Sequence, residues 1–385
     1  MALFGDATAP TGRTSLRVGV DFHLVDGKFQ GSRTHILELF SRVIAISPDI
    51  EFFLFLDRPE LLLNLSRVFQ QSNVQAIRMP AGNPLKRLYW DLGRFSARYD
   101  LNIMHTQYVL PHVGRCKRAV TIHDVLFETH PQFFTMLFSA RSRLFVRHAA
   151  RNADHVFTVS EFSRAELCRL YGVKKDRISI AYNGVDYDRF ATVADDDNAV
   201  LAKWGLEANQ YLLSVGRLEP RKNQESLVLA YGLIEANVPP LILVGQRDYG
   251  FNNVFAAIRE LGLTERVRVL ENVDDRELPA LYRHASVFAY PSFAEGFGMP
   301  VLEAMAAGTP VVTSNTTAIS EIAGPEGAIL VNPADVEEIA AALDTALSDQ
   351  MLRTRLIAAG RERAQSFTWE KAAKIVRQHY FEIVR

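Results

Sequence analysis

Short apolar runs bounded by turn residues alternate along this chain with longer stretches of helical periodicity, a pattern that confines it to parallel βαβ units. In the first half the runs predict strands over 16–22, 52–57, 74–79, 103–107, 119–123, 156–160 and 178–182. A second series predicts strands over 211–215, 241–244, 267–270, 287–290, 310–313 and 328–331, and the chain closes in a helix over 369–383. Between the two series the polar run Ala194-Asp195-Asp196-Asp197-Asn198 lacks strand character and marks a linker over 191–210. The expected fold is α/β: two Rossmann-like domains, 16–190 and 211–368, facing each other across a cleft. A loose polar tail over 1–15 precedes them, and a C-terminal helix over 369–385 packs back on the first. Open sheets of this kind bind ligands at the carboxyl ends of their strands.

Composition narrows the function. The 43 basic and 44 acidic side chains nearly cancel, which argues against a dedicated nucleic-acid binder. Two cysteines, Cys116 and Cys168, are too few for a disulfide framework and lack metal-ligand spacing, so a reducing cytoplasm is the expected setting. No run approaches the ~20 apolar residues that span a bilayer.

The densest chemistry lies in Glu295-Gly296-Phe297-Gly298-Met299-Pro300-Val301-Leu302-Glu303, followed by Ala304-Met305-Ala306-Ala307-Gly308-Thr309-Pro310. Pro300 suits the first position of a helix and Gly308 the left-handed position just past its end, so the helix is short. One carboxylate sits in a glycine loop that a ligand can approach closely, and the second lies inside the helix that the loop opens. Two acids so placed would meet different points of one elongated, polyhydroxylated, phosphorylated ligand. Upstream, Ser214-Val215-Gly216-Arg217-Leu218-Glu219-Pro220-Arg221-Lys222-Asn223 follows an apolar strand and brings Arg217 and Lys222 to the rim, where diphosphate is the natural counter-ion. Taken alone, the same turn reads as solvated and paired with Glu219 or Glu225.

The order Gly216-Arg217-Leu218, Lys222-Asn223, Pro291-Ser292, Glu295-Gly296-Phe297-Gly298, Glu303-Ala304-Met305 and Gly308-Thr309-Pro310-Val311-Val312 resembles the retaining glycosyltransferases of the GT-B fold. It is similar to their large group 1, family four, with its E-x7-E signature, which holds many bacterial mannosyl-, glucosyl- and N-acetylglucosaminyl-transferases. The resemblance implies that Arg217 and Lys222 bind the donor diphosphate and offset its growing charge. It implies that Glu303 holds the ribose and Glu295 the transferred sugar. Gly296, Phe297 and Gly298, with Met299, Pro300 and Val301 behind them, line the donor, and Val273 and Leu278 line the base pocket. In the first domain, the acceptor side, it implies a sugar-orienting role for His123 in Thr121-Ile122-His123-Asp124, and a phosphate or acceptor approach at Gly31. The family often has two glycines at that point, whereas this chain has Gln30-Gly31, leaving Ser32 or Arg33 as substitutes. Ser160-Glu161-Phe162-Ser163 and Tyr182-Asn183-Gly184-Val185-Asp186 also match family segments, with turn chemistry as their first explanation.

What the resemblance implies is a retaining hexosyltransferase acting on a saccharide or glycolipid hydroxyl in surface polysaccharide synthesis, with GDP-mannose the first donor and UDP-glucose or UDP-N-acetylglucosamine the alternatives. No metal or other cofactor is expected: the aspartates Asp195 to Asp197 fall in the linker, and no G-x-G-x-x-G follows the first strand. An epimerase, a phosphorylase and a non-catalytic saccharide-binding relative are the rival readings. A phosphorylase would need a pyridoxal lysine that is not identifiable, and the intact Arg217, Lys222, Glu295 and Glu303 argue against decay. Finally, Leu85, Leu88, Leu92 and Phe95, flanked by Lys86, Arg87, Arg94 and Arg98, and then Arg143, Arg147 and Arg151 beside Leu144 and Phe145, form basic amphipathic patterns. They suit either an ordinary core stripe with a solvated face or peripheral contact with an anionic membrane at the inner face of the cytoplasmic membrane.

Overall fold

Each predicted strand series folds into its own parallel sheet. The computed structural model describes residues 15–26, 31–79, 82–83, 86–234 and 237–385. Strands β1 (Leu16–Asp21), β2 (Ile50–Leu56), β3 (Val74–Arg78), β4 (Ile103–Gln107), β5 (Lys117–Thr121), β6 (His155–Thr158) and β7 (Ile178–Ile180) form a seven-stranded sheet in the order 3-2-1-4-5-6-7. Strands β8 (Leu212–Val215), β9 (Leu241–Val244), β10 (Val267–Leu270), β11 (Val287–Tyr290), β12 (Val311–Ser314) and β13 (Ile329–Val331) form a six-stranded sheet in the order 10-9-8-11-12-13. Both orders reverse direction beside the first strand of the series, the Rossmann-like pattern.

The chain divides into two compact units. The first takes the described residues up to Thr106, Pro111–Ala119 and Arg377–Arg385; the second takes Gln107–Leu110 and Val120–Val376. The linker expected over 191–210 therefore separates two sheets, while the units are cut further upstream. That segment holds the helix Asp197–Trp204, and Asp197 is buried against Arg283 and His284, with His284 Nε2 2.9 Å from its carboxylate. Within the first unit the end of the C-terminal helix Trp369–Ile383 is held by Arg377 on Asp49 at 2.7 Å and by Tyr380, whose hydroxyl lies 2.5 Å from His105 Nδ1.

Both faces of the second sheet are buried, as a parallel sheet requires. Leu213, Ile242, Phe288 and Tyr290 pack with Leu302, Met305 and Ile319 on one side. Leu212, Leu241, Leu243, Val287 and Val312 pack with Leu227, Tyr231 and Leu343 on the other.

The first basic amphipathic pattern resolves as core. Leu88 and Leu92 are buried, and Phe95 stacks on Phe55 at 5.2 Å. Arg87 pairs with the buried Asp21 at 3.5 Å, and the exposed apolar groups of that segment are instead Tyr89 and Trp90. Leu85 lies outside the described residues, as do Gln30 and the two residues before it. Among the described residues no helix is long and apolar enough to cross a membrane.

Candidate active site at the carboxyl ends of β8 and β11

The second unit gathers most of the predicted groups where β8 and β11, neighbours in the sheet, come to an end. After β8 the chain turns through Gly216 into a 3-10 turn, Pro220–Lys222. Asn223 follows with a left-handed φ of +58°. Its side chain donates to the carbonyls of Pro291 at 2.9 Å and Pro333 at 2.7 Å, which ties this turn to the loop after β11. The turn thus holds Lys222 against Tyr290, the last residue of β11.

Glu295 is the hub. Its Oε1 accepts from Lys222 Nζ at 2.7 Å, from the Ser292 hydroxyl at 2.8 Å and from the Tyr290 hydroxyl at 2.9 Å, while Oε2 accepts from Arg221 at 2.8 Å. Arg221 is fixed in turn by Glu219 at 2.6 Å and by the Ala294 carbonyl at 2.7 Å. Burial alone would push the Glu295 carboxyl up, but the charges of Arg221 and then Lys222 outweigh it and hold it at about 2. Burial lowers the Lys222 ammonium from its ordinary value, and the Glu295 charge opposes that shift. A carboxylate offers about four acceptor positions. Three donors crowd Oε1 and one meets Oε2, so the remaining capacity of Glu295 is at Oε2.

Gly296 and Gly298 are required by close approach and by backbone conformation. A Cβ at Gly296 would lie 2.7 Å from Asp124 Cβ and 2.8 Å from its Oδ2, and Gly298 has φ +106°. Helix Met299–Ala307 starts there, with Pro300 in its first turn, and stops at Gly308, where φ is +78°. Phe297 and Val301 are buried, Phe297 edge-on to Phe367 at 5.9 Å, so their side chains serve the core and only their backbone faces the loop. Met299 and Pro300 are half-buried.

Glu303 sits in the middle of this helix and accepts a 2.9 Å hydrogen bond from Tyr282. Burial pushes its carboxyl up to about 7 against that hydrogen bond. Three rings link the two acids: Tyr282 lies 5.2 Å from Phe288, and Phe288 stacks 5.9 Å from Tyr290. The outer two point a hydroxyl at Glu303 and at Glu295 respectively. Val273 and Leu278, beyond β10, are half-buried against this same cluster.

Arg217 does not join the Glu295 network. It is partly exposed and pairs with Asp248 at 2.7 Å. Its neighbour Gly216 remains close, because a Cβ there would fall 3.6 Å from the Tyr290 ring and 3.7 Å from Lys222 Cδ. His123 lies just past β5, nearly buried, with Nε2 2.9 Å from the Gln107 side-chain oxygen and its ring 5.4 Å from Tyr108. Ser163 donates to the His123 carbonyl at 2.7 Å, and Ser160 donates to the Gly296 carbonyl at 2.8 Å, so the serines of the 160–163 segment tie His123 to the glycine loop. Gly31 belongs to the first unit, where it is exposed and opens helix Gly31–Ala45.

Sequence reasoning missed Arg221 as a ligand of Glu295, along with Tyr290, Tyr282 and Asp248. The alternative of a basic turn paired with Glu219 holds for Arg221 alone; Glu225 instead meets Asn253 at 3.1 Å. Among the described residues, no cluster of three or more His, Cys, Asp or Glu could hold a metal ion.

Comparison with known proteins gives the family. The family model described as glycosyl transferases group 1 matches residues 197–363, and that of glycosyltransferase family 4 matches residues 29–189. The chain is 37% identical over 268 residues to O-antigen chain mannosyltransferase B of Escherichia coli, covering 68% of this chain and 69% of the relative. It is 30% identical over 218 residues to O-antigen chain mannosyltransferase RfbU of Salmonella typhimurium, covering 57% of each. Among solved structures, sucrose-phosphate synthase from Thermosynechococcus elongatus superposes with a TM-score of 0.76 at 25% identity, over 95% of this chain and 98% of that one. HepE of Anabaena, solved with UDP and glucose, superposes with a TM-score of 0.77 over 95% of this chain and 100% of that one; at 19% identity this is a likeness of fold.

Proposed function

From the premise that this chain belongs to the group 1 and family 4 glycosyltransferases, we propose that it is a retaining, metal-independent mannosyltransferase. It moves mannose from GDP-mannose to a hydroxyl of a saccharide or lipid-linked glycan during surface polysaccharide synthesis, in the cytoplasm and in peripheral contact with the membrane. The carrying observation is the buried Lys222–Glu295 pair at 2.7 Å, at the strand ends where such sheets take their ligands. The donor assignment follows the names of the O-antigen mannosyltransferases to which the chain is similar.

We assign the roles from the family, with the contacts as support. Lys222 has three N–H donors, of which Tyr290 and Glu295 take two; the third is available to a diphosphate oxygen. Arg217 exchanges Asp248 for the diphosphate and, with Lys222, neutralises the charge that develops as the sugar leaves, which is the task a metal serves in other transferases. Glu295 receives a sugar hydroxyl at Oε2, its charge held in place by Arg221. Glu303, once ionised, accepts from the ribose hydroxyls, while Val273 and Leu278 flank the base. Backbone N–H groups at Gly296, Phe297 and Gly298, with the helix start at Met299 to Val301, line the donor. His123, fixed through Gln107, orients the sugar, and the leaving phosphate takes the acceptor proton. The resemblance alone gives Gly31 an acceptor or phosphate role.

Titration calorimetry with GDP, UDP and ADP, followed by product mass and anomeric NMR with a chelator present, tests this reading. GDP selectivity, an α-mannosyl product from GDP-α-mannose and indifference to the chelator are expected. Binding of UDP alone overturns the donor, inversion or loss of activity on chelation overturns the mechanism, and no nucleotide binding overturns the site.

A further inference from the structure

The loop that leads from β12 into helix Thr317–Gly327 is hydrogen-bonded along its length to the segment that carries Glu295. The Ser314 hydroxyl donates to the Ser292 carbonyl at 2.5 Å, and the Thr316 hydroxyl donates to the Phe293 carbonyl at 3.2 Å. The Thr317 hydroxyl then accepts from the Glu295 backbone N–H at 3.1 Å, and the Ala318 N–H donates to the Glu295 carbonyl at 3.3 Å. Two consecutive residues therefore hold both main-chain groups of Glu295, while Lys222, Arg221, Ser292 and Tyr290 hold its carboxylate.

Thr317 keeps this place in an unfavourable conformation. Its φ is +55°, and among the described residues it is the one β-branched side chain with a positive φ. Three of the others are Asn209, Asn223 and Asn272, a residue type that tolerates this region, whereas branching at Cβ does not. Glycine would sit there unstrained but would offer the Glu295 N–H no acceptor. Nor does the hydroxyl serve the start of its own helix, where Thr316 is the capping residue and no side chain accepts from the first turn. Strain kept at a residue that satisfies a group of the site is better explained by that site than by the fold.

We propose that Thr317 is a positioning residue for transfer: its hydroxyl, with the Ala318 N–H, fixes the Glu295 main chain so that Oε2 meets the transferred sugar in one orientation. The proposal rests on the role given to Glu295 above and traces the precision of that acid to a second loop. A misplacement of ~1 Å at such a point costs up to about a hundredfold in rate.

Three substitutions separate the hydroxyl from the backbone strain. Thr317→Ser keeps the hydroxyl, Thr317→Val keeps the shape and the strain without it, and Thr317→Gly removes both. The full chain is assayed for turnover of GDP-mannose, GDP affinity by calorimetry, urea melts and amide exchange at Glu295. Turnover should fall on the order of tenfold or more in Thr317→Val and Thr317→Gly and stay within about threefold of wild type in Thr317→Ser. GDP affinity should stay within about twofold throughout, because the contact lies at the sugar end of the donor. Thr317→Gly should melt at higher urea than Thr317→Val without being more active. Exchange at the Glu295 amide should quicken on the order of tenfold in Thr317→Val and Thr317→Gly but not in Thr317→Ser. Turnover that follows stability, with Thr317→Gly ahead of Thr317→Val, overturns the proposal and leaves Thr317 a residue of the fold. A loss of GDP affinity that matches the loss of turnover also overturns it, as does unaltered exchange in Thr317→Val. The exchange measurement needs no donor, so it decides the link between Thr317 and Glu295 even where wild type fails to turn over GDP-mannose, a result that refutes the donor assignment instead.

Discussion

Replacing Glu303 by glutamine should stabilise the fold at alkaline pH and, in the same buffer, weaken nucleotide binding. The Glu303 carboxyl lies at about 7 in the folded chain, against an ordinary 4.5, because desolvation of this half-buried side chain, helped by the Asp275 charge, outweighs the Tyr282 hydrogen bond. Between those two values the folded chain keeps a proton that the unfolded chain has released, so stability falls as pH rises through this window and the loss is complete above it. At ~1.36 kcal/mol per pKa unit the loss is on the order of 3 kcal/mol. Glutamine still accepts from Tyr282 and never ionises, so Glu303→Gln escapes that loss. Urea melts should show the two proteins within about 0.5 kcal/mol near pH 4.5, and the variant ahead by about 2 to 3 kcal/mol near pH 8.5. Nucleotide affinity should run the other way. If Glu303 holds the ribose as proposed, the affinity should rise with pH through ~7 in the wild type, by up to about tenfold per unit, as the carboxylate forms. In Glu303→Gln it should be weak and flat. A variant no more stable than wild type near pH 8.5, or a wild-type pH profile of binding that survives the substitution, would refute the reasoning.

Three further outcomes follow from the contacts of Lys222, Gly296 and Arg217. Lys222→Ala should keep its circular dichroism spectrum, because Arg221, Ser292 and Tyr290 still satisfy the carboxylate, yet lose transfer on the order of a hundredfold or more; near-normal turnover contradicts the diphosphate role. Gly296→Ala should cost about 1 to 3 kcal/mol by driving a methyl into Asp124. Adding Asp124→Gly should recover part of that loss, and strictly additive destabilisation in the double variant counts against the clash. Asp248→Asn should free Arg217 and tighten nucleotide diphosphate binding a few-fold at low salt, on the order of what an exposed pair contributes, with the gain shrinking as salt rises; calorimetry showing weaker binding would assign Asp248 a different part.

Much of the scaffold was readable because its signals are local. Strands β9, β10 and β11 match their predicted limits; β9 and β11 are continuous apolar runs buried along their whole length, and β10 keeps the pattern with Arg268 set among Val267, Val269 and Leu270. Strand β5 shifted to Lys117–Thr121 because the Lys117 N–H finds the Asn102 carbonyl at 2.8 Å, a partner set by the fold rather than by its own neighbours. The helix bearing Glu303 was legible at both ends, since Gly298 and Gly308 occupy positive-φ positions that side chains avoid. The ligands of the acids were not. Tyr282 reaches Glu303 across 21 residues and Arg221 reaches Glu295 across 74, and spacing along the chain cannot say which of three neighbouring cations turns toward a distant carboxylate. The same holds for the basic helices: their periodicity was plain, but only packing separates the buried Leu92 from the exposed Leu137.

The ladder of Tyr282, Phe288 and Tyr290 joins Glu303 to Glu295 through ring contacts inside the buried core instead of a loop. Trimming the middle ring would open a cavity between the hydroxyl partners of the two acids and loosen both, while leaving every polar group chemically intact.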